Sequence, residues 1–299
     1  MIDITILETS RNGDVVDSHF KVEGSHGEFL VHESVNHGLI GLAPDLVCLQ
    51  GIVQATGDKW ASTVHTNTQR ELPVASVTTI GNNGVGIHNG HDTASRTETA
   101  LDRIAYLKER KTRAGLILAG LSLGSQTAHD IASDDEANEL NIRGIAHIGP
   151  GLISSTRARE LTQRLPTHVS TTTFWSMAHT FFTDQPRFWN NSLEIANILT
   201  RSALNMQPID HQRGMVELGT DPSEIERTTE RYPTVVIAGL NDVVYDKLMW
   251  RTIRNRTRLT IHEIPDIGHN LVYEERHAIR ALRHAFEYLN PVSAHNPAA

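Results

Sequence analysis

Apolar and polar positions along this chain follow two rhythms that take turns. Residues 2–7, 19–22 and 28–33 alternate with period two, which predicts half-buried strands, and Gly24 and Gly27 place a hairpin between the last two. Residues 45–49 and 115–119 are compact apolar runs, the mark of strands covered on both faces of a sheet, and 72–80, 142–148 and 234–238 read as further strands. Residues 258–264 alternate again and predict a last strand. Helical spacing falls between these runs, at 123–132, 250–255 and 274–289, where Ala278, Ile279, Leu282, Ala285, Phe286 and Leu289 share one face. Another helix follows the capping box Ser95-Arg96-Thr97-Glu98, carries Leu101, Ile104, Ala105 and Leu107, and ends in Lys108, Arg110 and Lys111. Residues 50–60 read as a polar loop and 81–90 as a glycine-rich one. Strands alternating with helices predict an α/β protein with a mostly parallel sheet and helices on both faces.

The rhythm changes between 152 and 230. Helical patterns at 156–165, 192–205 and 222–230 follow one another with little strand signal, the last opened by Asp221 and by Pro222 at its first position. This predicts a helical cap inserted at 152–230 into a core made of 1–151 and 231–299. Six of the eleven Phe and Trp residues lie between Phe174 and Trp189. Phe174, Trp175, Phe181, Phe182 and Trp189 are therefore candidates for lining a substrate pocket, against two other readings: the apolar core of the cap, or a surface that docks on a partner or lipid.

Composition narrows the class. With 299 residues, 39% hydrophobic and 21% charged, the chain has the make-up of a globular protein, and its net charge of −8 gives no electrostatic reason to expect nucleic acid. The single Cys48, inside an apolar run, excludes an internal disulfide framework. The first residues lack a basic start and an apolar signal core, and no apolar run reaches membrane-span length; a cytoplasmic location is the expectation. No metal, nucleotide or flavin motif is present, so no cofactor is expected. His88-x-x-His91-Asp92 has metal-ligand spacing without a further ligand set, and suits a solvated loop better.

The candidate chemistry lies where the apolar run 115–119 enters Gly120-Leu121-Ser122-Leu123-Gly124 and continues into a helix. A serine at the apex of a strand-to-helix turn is forced into a strained backbone conformation that lifts its hydroxyl clear of the sheet, and glycines two residues away remove colliding β-carbons. Serine needs a base, and the base needs a group that orients it. In a parallel sheet both belong on loops at the same edge, after later strands. Asp242 and His269 occupy such loops, with Asp246 and Asp266 as rival acids; His262 falls in a strand and His277 on a helix.

GLSLG at 120–124, PTVVIAGLND at 233–242 and IPDIGHN at 264–270 resemble the α/β-hydrolase fold family in order and placement, and LVCLQGIVQATGDKW at 46–60 resembles its oxyanion loop. The resemblance spans nearly the whole chain. It implies Ser122 as nucleophile, His269 as general base and then acid, Asp242 as the partner that fixes the histidine tautomer, and the backbone N–H groups of Leu123 and Ile52 as oxyanion hole. Relatives commonly carry His-Gly where this chain has Gln50-Gly51. A serine elbow disfavours carboxylate-nucleophile chemistry and implies a serine hydrolase cleaving an ester, thioester, lactone or amide of a small molecule. Carbon–carbon bond hydrolysis and cofactor-free haloperoxidase-like activity are the alternatives on the same fold, and a non-catalytic ligand-binding protein is the alternative from another class.

Overall fold

The computed structural model describes residues 2–50, 59–81, 96–110, 114–164, 219–242, 244–272 and 275–291. Its strands are β1 (Asp3–Asn12), β2 (Val15–Glu23), β3 (Glu28–Asn36), β4 (Asp45–Leu49), β5 (Ser76–Ile80), β6 (Leu116–Leu121), β7 (Ile142–Ile148), the short β8 (Ile153–Ser154) and β9 (Gly219–Thr220), β10 (Thr234–Gly239) and β11 (Thr260–Ile264). The described α-helices are α1 (Lys59–Glu71), α2 (Arg96–Arg110), α3 (Gly124–Ser133), α4 (Ser155–Arg164), α5 (Pro222–Arg231), α6 (Lys247–Arg256) and α7 (Glu275–Leu289).

Nine of the described strands form one sheet in the order β1-β2-β3-β5-β4-β6-β7-β10-β11. From β5 through to β11 neighbours run parallel, while β1, β2 and β3 join antiparallel at one end. The apolar runs occupy the middle: every residue of β5, β6 and β10 is buried. Alternation sorts their side chains. Leu46, Cys48, Ile117, Ala119, Val235 and Ile237 meet Val64 of α1 and the Ala278–Leu282–Ala285–Phe286 stripe of α7. Val47, Leu49, Leu116 and Leu118 meet Ala100, Ile104 and Leu107 of α2 and Ala128, Ile131 and Ala132 of α3. Toward the other end, Val236 and Ala238 pack with Ile225 of α5 and with Met249, Trp250 and Ile253 of α6. The mostly parallel sheet with helices on both faces agrees with the pattern.

Three elements depart from it. Helix α1 covers residues assigned in part to a polar loop, because its inward face is Val64, His65 and Thr68, all buried, and two polar side chains erase the apolar stripe. Strand β5 begins at Ser76 rather than 72, since Leu72 and Val74 belong to the exit of α1 and fill the core there. Strand β1 runs to Asn12, beyond the predicted end at 7; all ten of its residues are exposed, and pairing with β2 rather than burial holds it, across a bulge between Ile6 and Glu8. No described helix is long and apolar enough to cross a membrane. Of the expected insertion 152–230, residues 165–218 lie outside the described residues. The chain leaves for that segment through β8 and returns through β9, which pair in parallel.

Candidate active site

Ser122 follows directly on β6 and has φ of +55°, a left-handed conformation that costs a residue with a β-carbon about 1–2 kcal/mol. The surroundings fix it there. Its N–H donates to the Ile148 carbonyl at 3.0 Å, and its carbonyl accepts Ser125 N–H at 3.0 Å and Gly151 N–H at 2.8 Å. Helix α3 passes so close that a β-carbon on Gly124 would overlap the Leu49 carbonyl oxygen, and one on Gly120 would overlap Ser125 Cα. The glycine spacing is thus a packing requirement between strand and helix. Gly124→Ala is expected to destabilise the protein by about 3 kcal/mol, at the upper end of overpacking costs, because backbone rather than a movable side chain stands in the way. Urea unfolding measures this, and an unchanged midpoint would contradict the packing.

The Ser122 hydroxyl does not cap α3. Leu123 is the cap residue, with no side-chain bond, and Ser122 Oγ lies instead 2.8 Å from His269 Nε2. His269 begins the 3-10 turn His269–Val272, pinned by fully buried Leu271 and Val272. Its Nδ1 lies 2.9 Å from Asp242 Oδ2. Asp242 Oδ1 accepts Val244 N–H at 2.8 Å, which orients the carboxylate from the loop after β10. With Nδ1–H given to Asp242, Nε2 of a neutral imidazole presents its lone pair to the serine O–H. Ser122, His269 and Asp242 are 6%, 3% and 6% exposed, so their interactions are little screened by water. Gly149 packs beside this pair at φ of +51°, where a β-carbon would lie 2.9 Å from Val272 Cγ1.

The rival residues have other duties. Asp246 caps α6, and Asp266 sits at φ of +59° in the turn after β11. His262 lies on β11 with its ring toward His284 and Tyr288, and His277 is on α7. His147 is buried within the sheet beside Trp250, ring centroids 5.3 Å apart, and burial, with His129 nearby, pushes its pKa down to about 3.

Leu123 stands at the start of α3, where a backbone N–H has no intrahelical acceptor. Ile52, the second expected oxyanion donor, lies outside the described residues, as do Phe174, Trp175, Phe181, Phe182 and Trp189, and His88 and His91. Gln50, the last described residue before that loop, is buried and donates its N–H to the Ile80 carbonyl at 3.1 Å. Among the described residues no group of three or more His, Cys, Asp or Glu side chains is arranged to hold a metal ion. Sequence reasoning did not find Gly149 or Gly151 as supports of the site; the Gly149-Pro150-Gly151 run signals only a strand end.

No family model and no curated protein matches the chain by sequence. Solved structures do match it by shape. An esterase from Thermogutta terrifontis superposes with a TM-score of 0.59 at 14% identity, covering 91% of this chain and 98% of that one. A bromoperoxidase from Bacillus anthracis gives 0.60 at 14%, covering 90% and 100%. An alpha/beta hydrolase from Novosphingobium aromaticivorans gives 0.57 at 14%, covering 93% and 100%. With its parallel sheet, its serine turn after β6 and these likenesses over nearly the full chain, this protein has the α/β-hydrolase fold.

Proposed function

We propose that the protein is a serine hydrolase that cleaves a carboxylic ester, thioester or lactone of a small, partly apolar molecule. The contact of Ser122 Oγ with His269 Nε2 at 2.8 Å, backed by Asp242 at 2.9 Å, carries the reading. The esterase among the similar structures supports it. In this reading Ser122 Oγ attacks the carbonyl carbon while its proton passes to His269 Nε2. Asp242 stabilises the resulting imidazolium and keeps the ring oriented. The tetrahedral oxyanion rests on the N–H groups of Leu123 and Ile52, each such donor contributing on the order of 3 kcal/mol in the transition state. His269 returns the proton to the leaving alkoxide or thiolate. Water then attacks the acyl-enzyme with His269 again as base, and releases the acid and the free serine. The segment between β8 and β9, with its aromatic residues, serves as cap and substrate lining.

A fluorophosphonate probe is expected to label Ser122, and His269→Ala to abolish that labelling at neutral pH, because the hydroxyl then has no acceptor for its proton. Mass spectrometry of the labelled peptide checks both. A wild-type chain that stays unlabelled while an esterase control reacts would leave a binding role as the better account. The bromoperoxidase among the similar structures supports a second reading, in which the same three side chains serve halide-dependent peroxidation. Bromination of monochlorodimedone exceeding ester turnover would favour it.

A further inference from the structure

The turn after β7 does more than end a strand. It begins at Gly149, where a β-carbon would stand 3.8 Å from both Asp242 Oδ2 and His269 Nδ1. At Gly151 it donates its N–H to the Ser122 carbonyl at 2.8 Å. It then buries Leu152 and Ile153 completely and brings Ser154 onto Asp246. Asp246 Oδ2 accepts Ser154 N–H at 3.1 Å and the Ser154 hydroxyl at 2.6 Å, while Oδ1 accepts Met249 N–H at 3.2 Å. The Ser154 oxygen itself accepts Arg157 N–H at 3.2 Å, which turns its proton toward the carboxylate. Asp246 lies on the same loop as Asp242. One short strap, 149–154, therefore touches the nucleophile's backbone at one point and the acid's loop at another.

We propose that Asp246, acting through Ser154, is a positioning residue that holds the loop carrying Asp242 in register with the Ser122 elbow. The proposal rests on the catalytic reading above. A helix cap alone requires one acceptor oxygen, and Asp246 supplies it with Oδ1; its second oxygen is committed to a residue 92 positions away. A short O–H···O bond to a carboxylate is among the stronger kinds, and two donors from one residue fix direction as well as distance. Without them the acid loop keeps its cap but loses its tie to the strap. Slack of a few tenths of an ångström between Ser122 and the His269–Asp242 pair lowers the rate without altering how substrate is held.

The conservative substitutions separate this role from a structural one. Asparagine caps helices as well as aspartate does, so Asp246→Asn keeps the α6 cap while its amide cannot accept both Ser154 donors. Ser154→Ala removes the shorter bond together with the one that accepts Arg157 N–H, and Ser154→Thr retains both. On a p-nitrophenyl ester, Ser154→Ala and Asp246→Asn are each expected to lower kcat by about tenfold with KM within about twofold, since small misplacement of reacting groups costs rate steeply. Fluorophosphonate labelling of Ser122 should slow equally, Ser154→Thr should restore both, and the double variant should fall no further than either single one. Unchanged kcat and labelling in Ser154→Ala and Asp246→Asn, with at most a lower Tm, would overturn the proposal. Should Asp246→Asn fail to fold by circular dichroism, the Ser154→Ala and Ser154→Thr pair decides alone. A wild-type chain that neither labels nor turns over defeats the catalytic reading and this proposal with it. A wild-type chain that labels at the same rate as both variants defeats this proposal alone.

Discussion

Ser122→Ala is expected to lower turnover of a short p-nitrophenyl ester by about 10⁵-fold, the scale on which losing a serine nucleophile outweighs every other single change at such a site. The protein should remain folded, because among the described residues the hydroxyl bonds to His269 and does not cap α3. What keeps residue 122 in place is backbone: the bonds to Ile148, Ser125 and Gly151 are all made by its main chain. Alanine inherits the left-handed conformation at φ of +55° and its cost. Glycine does not, so Ser122→Gly should be more stable than Ser122→Ala by about 1 kcal/mol, with both inactive. Steady-state kinetics and urea unfolding on the two variants test activity and strain separately. Turnover of the alanine variant within tenfold of wild type would remove Ser122 from the chemistry.

Acidification from pH 7 to 5 is expected to destabilise the fold steeply, before most carboxylates titrate. His32 of β3 meets His65, on the inward face of α1, with ring centroids 4.3 Å apart, and meets His19 of β2 at 4.1 Å, both pairs tilted. Burial, with His19 as an added repulsion that Asp17 only partly offsets, brings the His32 pKa down to about 4. Burial holds His65 well below its ordinary value, with His32 and His19 acting in the same direction. Among the described residues the Nδ1 atoms of His32 and His65 have no hydrogen-bond partner and His65 Nε2 meets the Thr79 hydroxyl, so no carboxylate is hydrogen-bonded to either ring, and the charge of Asp17 offsets only part of the cost at His32. His147, near pKa 3, adds a third such group. All three values are depressed in the folded state, so the unfolded chain takes up protons first. The stability they contribute is complete above the unfolded histidine value of about 6.5 and is lost as pH falls from there toward the folded values. Each histidine steepens the loss by up to about 1.4 kcal/mol per pH unit. Urea unfolding between pH 7.5 and 5 should show this slope, and His147→Phe, beside Trp250, should reduce it by about one proton. A flat profile over that range would rule out neutral burial of these rings.

Much of the fold and of the candidate site is written locally. The runs at 45–49, 142–148 and 234–238 are mostly apolar because both faces of the sheet are covered, and β4, β7 and β10 appear at those positions. The serine turn was legible because its requirement is steric and spans five residues: Gly120 and Gly124 are glycines because Ser125 and Leu49 leave no room for a side chain. Asp242 and His269 could be nominated because a parallel sheet sends the ends of its strands to one rim, so that distance along the chain hardly matters. The 2.8 and 2.9 Å contacts were beyond the sequence, but the rim on which to look for them was not.

The rest was decided by tertiary contacts that leave no local mark. Helix α1 turns His65 and Thr68 inward, so its buried face looks polar until the sheet beneath it is present. Pairing of β2 with β3 sets His19 opposite His32, and pairing of β3 with β5 sets His32 opposite Thr79; no spacing in the sequence announces that grouping. Asp246 stands in the sequence only as a rival to Asp242, and its role is assigned when Ser154 arrives from 92 positions away. A sequence determines which elements form and which residue types fall at their ends, because those depend on neighbours in the chain. Only the folded structure assigns a polar side chain to its partner, since that pairing depends on register between segments the chain itself keeps far apart.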